Sequence, residues 1–329
     1  MAKIKNLLIF FPVDKNFKDE IVKKLPETKI LYRTGKNLTQ ADIQEADVIF
    51  GNVPADMLAD APNLKWLHLA SAGTDGYTPV LDRGIALSNG TGAYNDTIAE
   101  HMLAVTGALC LGLPRYARQQ QAHHWARAGW SKYIMDSTIA ILGCGSIGTA
   151  YARRVHGLGA YTIGVRRSPC AALPEGVDEM VTMAQLDSVL PRADIVAMVM
   201  PNTPETRGIM DARRIGLMKD GALLINVGRG NALDPDALYD ALVSGKLDAA
   251  AIDVAYTEPL PAEDRLWDAP NLLITPHIAG GWNGDQGTSS PAMAKRIGRV
   301  FFDNLDCFLT GRPLKNAVDP ATGYTKRAL

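Results

Sequence analysis

Short apolar runs alternate with segments of helical period along almost all of the 329-residue chain. LLIFFPV, KILYR, ADVIFGN, LKWLHLA and IALSNG fall within the first 90 residues or so, and TIAILGCG, YTIGVRR, MVTM, ADIVAMVM, GALLINVG, AAAIDV and NLLITPH lie between positions 138 and 277. Apolar runs of this length, separated by helix-period segments, predict parallel strands joined by crossover helices. The expected fold class is α/β, with two parallel-sheet lobes. Between the two sets of strands, residues 100–127 (EHMLAVTGALCLGLPRYARQQQAHHWAR) grade from apolar to polar and predict one long helix bridging the lobes. A later helical pattern, SPAMAKRIGRVFFDNLDCFL, is expected to pack back on the first lobe, which is then discontinuous, with the second lobe inserted. No internal repeat or low-complexity tract is visible.

Composition narrows this picture only slightly. At 47% hydrophobic and 21% charged the chain is an ordinary globular one. With 34 basic and 35 acidic residues the net charge is −1, so no overall field draws it to nucleic acid or an anionic membrane, and any anion must be bound locally. The opening MAKIKNLLIFFPVDKNF has no small-residue cleavage site and is far too short to span a bilayer, so it reads as the first buried strand of a cytoplasmic protein. Cys110, Cys144, Cys170 and Cys307 are scattered without a CxxC pair or a nearby histidine. That argues against a disulfide framework or a metal site.

The first candidate chemistry is a phosphate cradle. In TIAILGCGSIGTAYARRVHGLGA, Gly143, Gly145 and Gly148 follow an apolar strand and open an amphipathic helix. Gly143 makes the tight turn, Gly145 lets a pyrophosphate approach the backbone, and Gly148 lets helix and strand pack closely. The helix start adds free amides and a positive dipole end. Cys144 and Ser146 are expected to act through backbone amides. At the end of the next strand, where an acidic residue would hold the adenosine ribose, stand Arg166, Arg167 and Ser168. Guanidinium groups and a hydroxyl suit a 2′-phosphate, which favours NADP over NAD. Solvated arginines beside a cofactor they do not discriminate are the competing reading.

Arg229, Glu258 and His277 each follow a predicted strand, at the carboxyl ends that face the ligand crevice of an open parallel sheet. An arginine can grip a carboxylate or polarise a ketone oxygen. A histidine can give or take the proton that accompanies hydride transfer, and a neighbouring carboxylate favours its charged form. Singly, the three read as a turn arginine, a solvated carboxylate and a satisfied histidine; their joint placement points to catalysis. His123 and His124 are adjacent in sequence and cannot share a helix face as metal ligands. His101 reads as a helix-packing residue. Trp282 is as well suited to a pocket wall as to an interface, and Tyr77 and Tyr94 are weaker candidates still.

An ordered series of motifs runs through nearly the whole chain: SAGTDGY (71–77), NDTIAEHMLA (95–104), GCGSIG, MPNTPETRGIM (200–210), NVGRGNALD (226–234), DVAYTEPLP (253–261) and TPHIAGG (275–281). In these the chain resembles the D-isomer-specific 2-hydroxyacid dehydrogenases, in particular their NADP-preferring, glyoxylate/hydroxypyruvate reductase-like branch. The resemblance implies two Rossmann-like lobes closing over a cleft. Residues 1–101 and 288–329 would form a flavodoxin-like, substrate-binding lobe, and residues 102–287 the dinucleotide-binding lobe. It implies Arg229 on the substrate carboxylate and carbonyl, His277 as acid/base, Glu258 bonded to His277, and amides of Ser71, Ala72 and Gly73 on the carboxylate. Asp253 would sit near the nicotinamide carboxamide, and Ile147, Pro201, Thr206, Val227 and Gly280 would line the cofactor. A homodimer is also implied. Two departures stand out: Arg166 replaces a frequent Asp, and Gly228 replaces a frequent Ala as local packing. The expected function is NADP(H)-dependent reduction of a small 2-keto acid to a 2-hydroxy acid. Cofactor-sensing binding proteins of corepressor type, and formate or phosphite dehydrogenases, are the alternatives on the same scaffold.

Overall fold

Each of the twelve apolar runs contains a strand, and every strand pairs in parallel with its neighbours. The computed structural model describes residues 3–129, 131–281, 290–320, 322, 323 and 325. Strands β1 (Asn6–Phe10), β2 (Lys29–Tyr32), β3 (Val48–Gly51), β4 (Trp66–His68) and β5 (Ala86–Ser88) form one sheet in the order β2-β1-β3-β4-β5. Strands β6 (Thr138–Leu142), β7 (Tyr161–Arg166), β8 (Glu179–Thr182), β9 (Ile195–Met198), β10 (Ala222–Asn226), β11 (Leu247–Ile252) and β12 (Leu272–Ile274) form a second, in the order β12-β11-β10-β9-β6-β7-β8. The helices are α1 (Lys15–Lys24), α2 (Gln40–Glu45), α3 (Pro79–Asp82), α4 (Asn95–Cys110), α5 (Leu113–Gln121), α6 (Ser146–His156), α7 (Leu186–Val189), α8 (Ala212–Leu217), α9 (Pro235–Ser244) and α10 (Pro291–Thr310). The chain divides into two units, Met1–Tyr94 with Gly281–Leu329, and Asn95–Gly280.

In the first unit α10 lies on an aromatic face of the sheet. Phe301 stacks on Phe50 with ring centroids 4.2 Å apart and on Trp66 at 5.5 Å, contacts worth about 0.5–1.5 kcal/mol each beyond the area they bury. His68 is fully buried in the same cluster with Nδ1 2.7 Å from Ser88 Oγ, and burial pushes its imidazole down to about 3. It is a neutral core residue. The opposite face buries Leu8, Ile49, Leu67 and Leu87 with Ile43 of α2.

In the second unit the seven-stranded sheet is covered on both faces. Leu238 and Leu242 of α9 and Ile215 of α8 pack on one side; Met102, Val105 and Leu109 of α4 and Tyr151 and Val155 of α6 pack on the other. The strand order reverses between β6 and β9, and the glycine loop after β6 therefore opens at the switch point where such sheets bind ligands.

Each sheet is fastened by the same kind of device. Asp47, just before β3, accepts hydrogen bonds from the Lys5 and Asn6 amides at 2.9 Å and from Lys65 Nζ at 2.7 Å. Asp194, just before β9, accepts from the Thr138 amide at 2.9 Å and from Lys219 Nζ at 2.8 Å. Each carboxylate ties the starts of its two neighbouring strands together, and the local sequences ADVIF and ADIVA are alike.

Residues 100–127 are not one helix. After α4 ends at Cys110, Gly112 turns the chain with φ +66°, α5 opens with Pro114 in its first turn, and the two helices meet at a 65° bend. A left-handed glycine ends a helix, and proline without an N–H suits the start of the next.

Candidate functional site

The cradle is built by backbone contacts that leave no room for side chains at two of its glycines. A Cβ on Gly143, which has φ +96°, would lie 2.9 Å from the Val199 carbonyl, and one on Gly148 would lie 2.7 Å from Gly143 O. Gly145 differs: its nearest protein atom would be 3.9 Å away, so the fold itself does not require glycine there. The open space before Gly145 is what an approaching pyrophosphate needs. Beyond it α6 starts without a side-chain cap, its first backbone acceptor bond running from Thr149 N to Gly145 O. The Ser146, Ile147 and Gly148 amides are thus left to an anion at the helix start. Cys144 departs from expectation: its amide donates to Val165 O at 2.9 Å and its buried side chain packs beside Gly164. Its amide is therefore not available to the anion as expected.

Arg166 closes β7, paired in register with Thr182, and Arg167 and Ser168 follow as exposed residues. Among the described residues no carboxylate forms an ion pair with either arginine. Pro201 and Thr206 belong to a self-tied loop after β9, where the buried Thr206 hydroxyl donates to Pro201 O at 2.6 Å. Val227 is buried at the end of β10 and Gly280 follows the buried Ala279.

Glu258 and His277 are brought together, with Nδ1 2.7 Å from Oε2. A carboxylate only accepts, so Nδ1 carries the proton and Nε2 is the titrating nitrogen. The other Glu258 oxygen accepts from the Ala255 amide at 3.0 Å, which fixes the carboxylate plane. The Glu258 hydrogen bond holds the His277 imidazole above its ordinary value, against burial and the charge of Arg229. Burial alone would raise Glu258, but the bonds from His277 and Ala255 outweigh it and keep the carboxyl below its usual range. Arg229 follows β10, its field reaching both partners.

Neighbouring residues, Asn226 and Gly230 among them not singled out in the sequence, position this pair. Asn226, buried at the end of β10, spans the turn with Oδ1 accepting from Gly228 N and Nδ2 donating to Arg229 O, both at 3.0 Å. Gly228 is more than a packing choice, since a Cβ there would be 2.6 Å from Met200 O; one on Gly230 would be 1.9 Å from Ala255 O. Asp253 is buried and acts as a clamp. It accepts from Thr275 Oγ1 at 2.6 Å and from the Ile278 and Ala279 amides at 2.9 Å, while its carbonyl accepts from His277 N at 2.8 Å. These bonds hold His277 at φ +54°, a left-handed conformation that costs about 1–2 kcal/mol for a residue with a side chain.

In the first unit, Ser71, Ala72 and Gly73 form the turn after β4, the Ser71 amide donating to Asn52 Oδ1 at 3.1 Å. Tyr94 and Tyr77 pin neighbouring backbone, their hydroxyls donating to Ala70 O and Val53 O. His101 lies within α4, whereas His123 and His124 are exposed beyond α5. Trp282 lies outside the described residues.

This arrangement, a dinucleotide cradle at a switch point with an imidazole, carboxylate and guanidinium at neighbouring strand ends, is that of a nicotinamide-dependent oxidoreductase. Residues 103–279 match the model for the D-isomer specific 2-hydroxyacid dehydrogenase, NAD binding domain. Glyoxylate/hydroxypyruvate reductase B of Pectobacterium atrosepticum is 31% identical over 82% of this chain and 83% of its own. D-3-phosphoglycerate dehydrogenase of Mycobacterium bovis is 30% identical over 86% of this chain, but the match spans only 53% of that protein. The crystal structure of a D-isomer specific 2-hydroxyacid dehydrogenase from Xanthobacter autotrophicus Py2, in complex with NADPH and MES, superposes with a TM-score of 0.82 at 28% identity, covering 98% of this chain and 100% of that one. The chain belongs to the D-isomer specific 2-hydroxyacid dehydrogenase family and is an NAD(P)-dependent oxidoreductase.

Proposed function

We propose that the protein reduces a small 2-keto acid to its D-2-hydroxy acid with NADPH. The observation that carries this reading is the Glu258–His277 pair at 2.7 Å in the field of Arg229. When bound, the dinucleotide supplies the hydride. His277, its pKa raised by the Glu258 hydrogen bond, delivers a proton from Nε2 to the keto oxygen. Arg229 offsets the negative charge of the substrate carboxylate and of the developing alkoxide. The Ala72 and Gly73 amides take the carboxylate. The named activity of the Pectobacterium relative supports glyoxylate and hydroxypyruvate as the first acids to try.

The NADP preference is supported by Arg166 and Arg167, neither of which forms an ion pair among the described residues, although the exposed Glu205 carboxylate feels the charge of Arg167, and by the NADPH bound in the Xanthobacter relative. A charge-assisted hydrogen bond contributes about 1.5–3 kcal/mol. Replacing Arg166 and Arg167 together with alanine is therefore expected to raise the KM for NADPH about tenfold or more, with the KM for NADH little changed. Initial rates with glyoxylate, hydroxypyruvate and pyruvate, each cofactor titrated separately, test this. An unchanged KM for NADPH would remove the arginines from cofactor choice, and no oxidation of either cofactor with any 2-keto acid would remove the reductase reading. A homodimer is proposed as well, supported by the exposed apolar side chains Leu111, Leu113, Tyr116, Trp125 and Met135.

A further inference from the structure

In a planar trans peptide the N–H points opposite to the preceding C=O, so whatever holds the Ser71 and Ala72 carbonyls aims the Ala72 and Gly73 amides. Ser71 O accepts from Gly90 N at 2.8 Å, and Ala72 O accepts from Asn89 Nδ2 at 2.7 Å. The flanking carbonyls are held too, Ala70 O by the Tyr94 hydroxyl and Gly73 O by the Ser71 hydroxyl. Among the described residues nothing accepts from the Ala72 or Gly73 amide. Gly90 presses so closely on the turn that a Cβ there would lie 2.3 Å from Ala70 O.

Both anchors, Asn89 and Gly90, follow β5, and that segment is held by the end of the chain. Asn316 Nδ2 donates to Asn89 O at 2.9 Å and to Thr91 O at 2.8 Å, while its own amide donates to Asn304 Oδ1 on α10 at 3.3 Å. Val318 N donates to Leu87 O at 2.9 Å, and Ala317 bridges Ser88 in antiparallel fashion. On the far side of the turn, the buried Thr74 hydroxyl donates to Gly323 O at 2.5 Å. Asn316, Ala317, Val318 and Gly323 therefore touch the turn and its supports from both sides.

We propose that Asn316, Ala317, Val318 and Gly323, beyond α10, act as a strap that sets the direction of the Ala72 and Gly73 amides, with Asn89 and Asn316 as positioning residues for the substrate carboxylate. This rests on the reading that those amides take the carboxylate. The strap reaches the chemistry through the backbone alone, and its loss loosens the grip on the acid without touching the cofactor.

The test uses the full-length protein with Asn316→Ala and, as a second variant that preserves shape, Thr74→Val. Each is measured for KM and kcat with glyoxylate, for KM with NADPH, and for amide hydrogen exchange over residues 71–74 with and without oxalate. The expected result for Asn316→Ala is a KM for glyoxylate raised about tenfold, a smaller change in kcat, an unchanged KM for NADPH, and faster exchange over 71–74. Thr74→Val is expected to shift the same readouts in the same direction by less. In the unmodified protein oxalate is expected to slow exchange there. If oxalate protects the turn but both variants keep the original KM and exchange rates, the strap is wrong and the carboxylate reading survives. If neither oxalate nor glyoxylate protects the turn, the carboxylate reading falls and takes the strap with it.

Discussion

Just past the end of β12, the proposed acid/base His277 lies in the field of Arg229. The Glu258 hydrogen bond supplies the difference, raising His277 where burial and Arg229 would lower it. Because the folded value is raised, the protonated form that the proposed keto-acid reduction requires persists to higher pH and is lost as pH rises through that value. In Glu258→Gln the main raising contributions go, while the lowering ones and the smaller raising one from Asp253 stay. The alkaline limb of kcat/KM for reduction is therefore expected to move to lower pH, measurable as a pH–rate profile, and a limb in the original place would show that Glu258 does not control this proton. Sequence alone pointed to Arg229, Glu258 and His277 because each ends an apolar run. Asp253 could be placed at a strand end, but its role as a clamp depends on loop geometry that brings Thr275, Ile278 and Ala279 onto one carboxylate. Asn89 and Asn316 were illegible for a similar reason, their partners lying far off in sequence.

The strands were legible as elements because a strand covered on both faces has no polar alternation to confuse it with anything else. The error at residues 100–127 has a plain cause. The apolar-to-polar gradient continues across the break, and it outweighed the GLP triplet that ends one helix and begins another. The Asp47 and Asp194 fastenings show the elements of both sheets secured by the same device. Asp47 is the more buried, and although burial raises its carboxyl, Lys65 and two amides hold it below the ordinary range. Asp47→Ala leaves the Lys5 and Asn6 amides without their acceptor and is expected to destabilise folding by about 1–3 kcal/mol, with Asp194→Ala costing less. Urea titrations of the two variants check the order; equal or negligible losses would mean that water replaces both carboxylates freely.

For the molecule as a whole, the alternation of apolar runs and helical segments was enough to predict two parallel sheets, and the β12-β11-β10-β9-β6-β7-β8 order places the glycine loop at the reversal. In the proposed reaction a few groups at strand ends carry the chemistry: the cradle would hold the dinucleotide, while the Asp253 contacts place His277 and the Glu258 hydrogen bond raises its pKa. The most direct test is the initial rate of NADPH oxidation with glyoxylate and hydroxypyruvate in the unmodified protein and in His277→Ala, together with NADPH binding by fluorescence. Removal of the proton donor is expected to lower kcat about a hundredfold or more while NADPH binding is retained. Full turnover in His277→Ala would contradict the account at its centre.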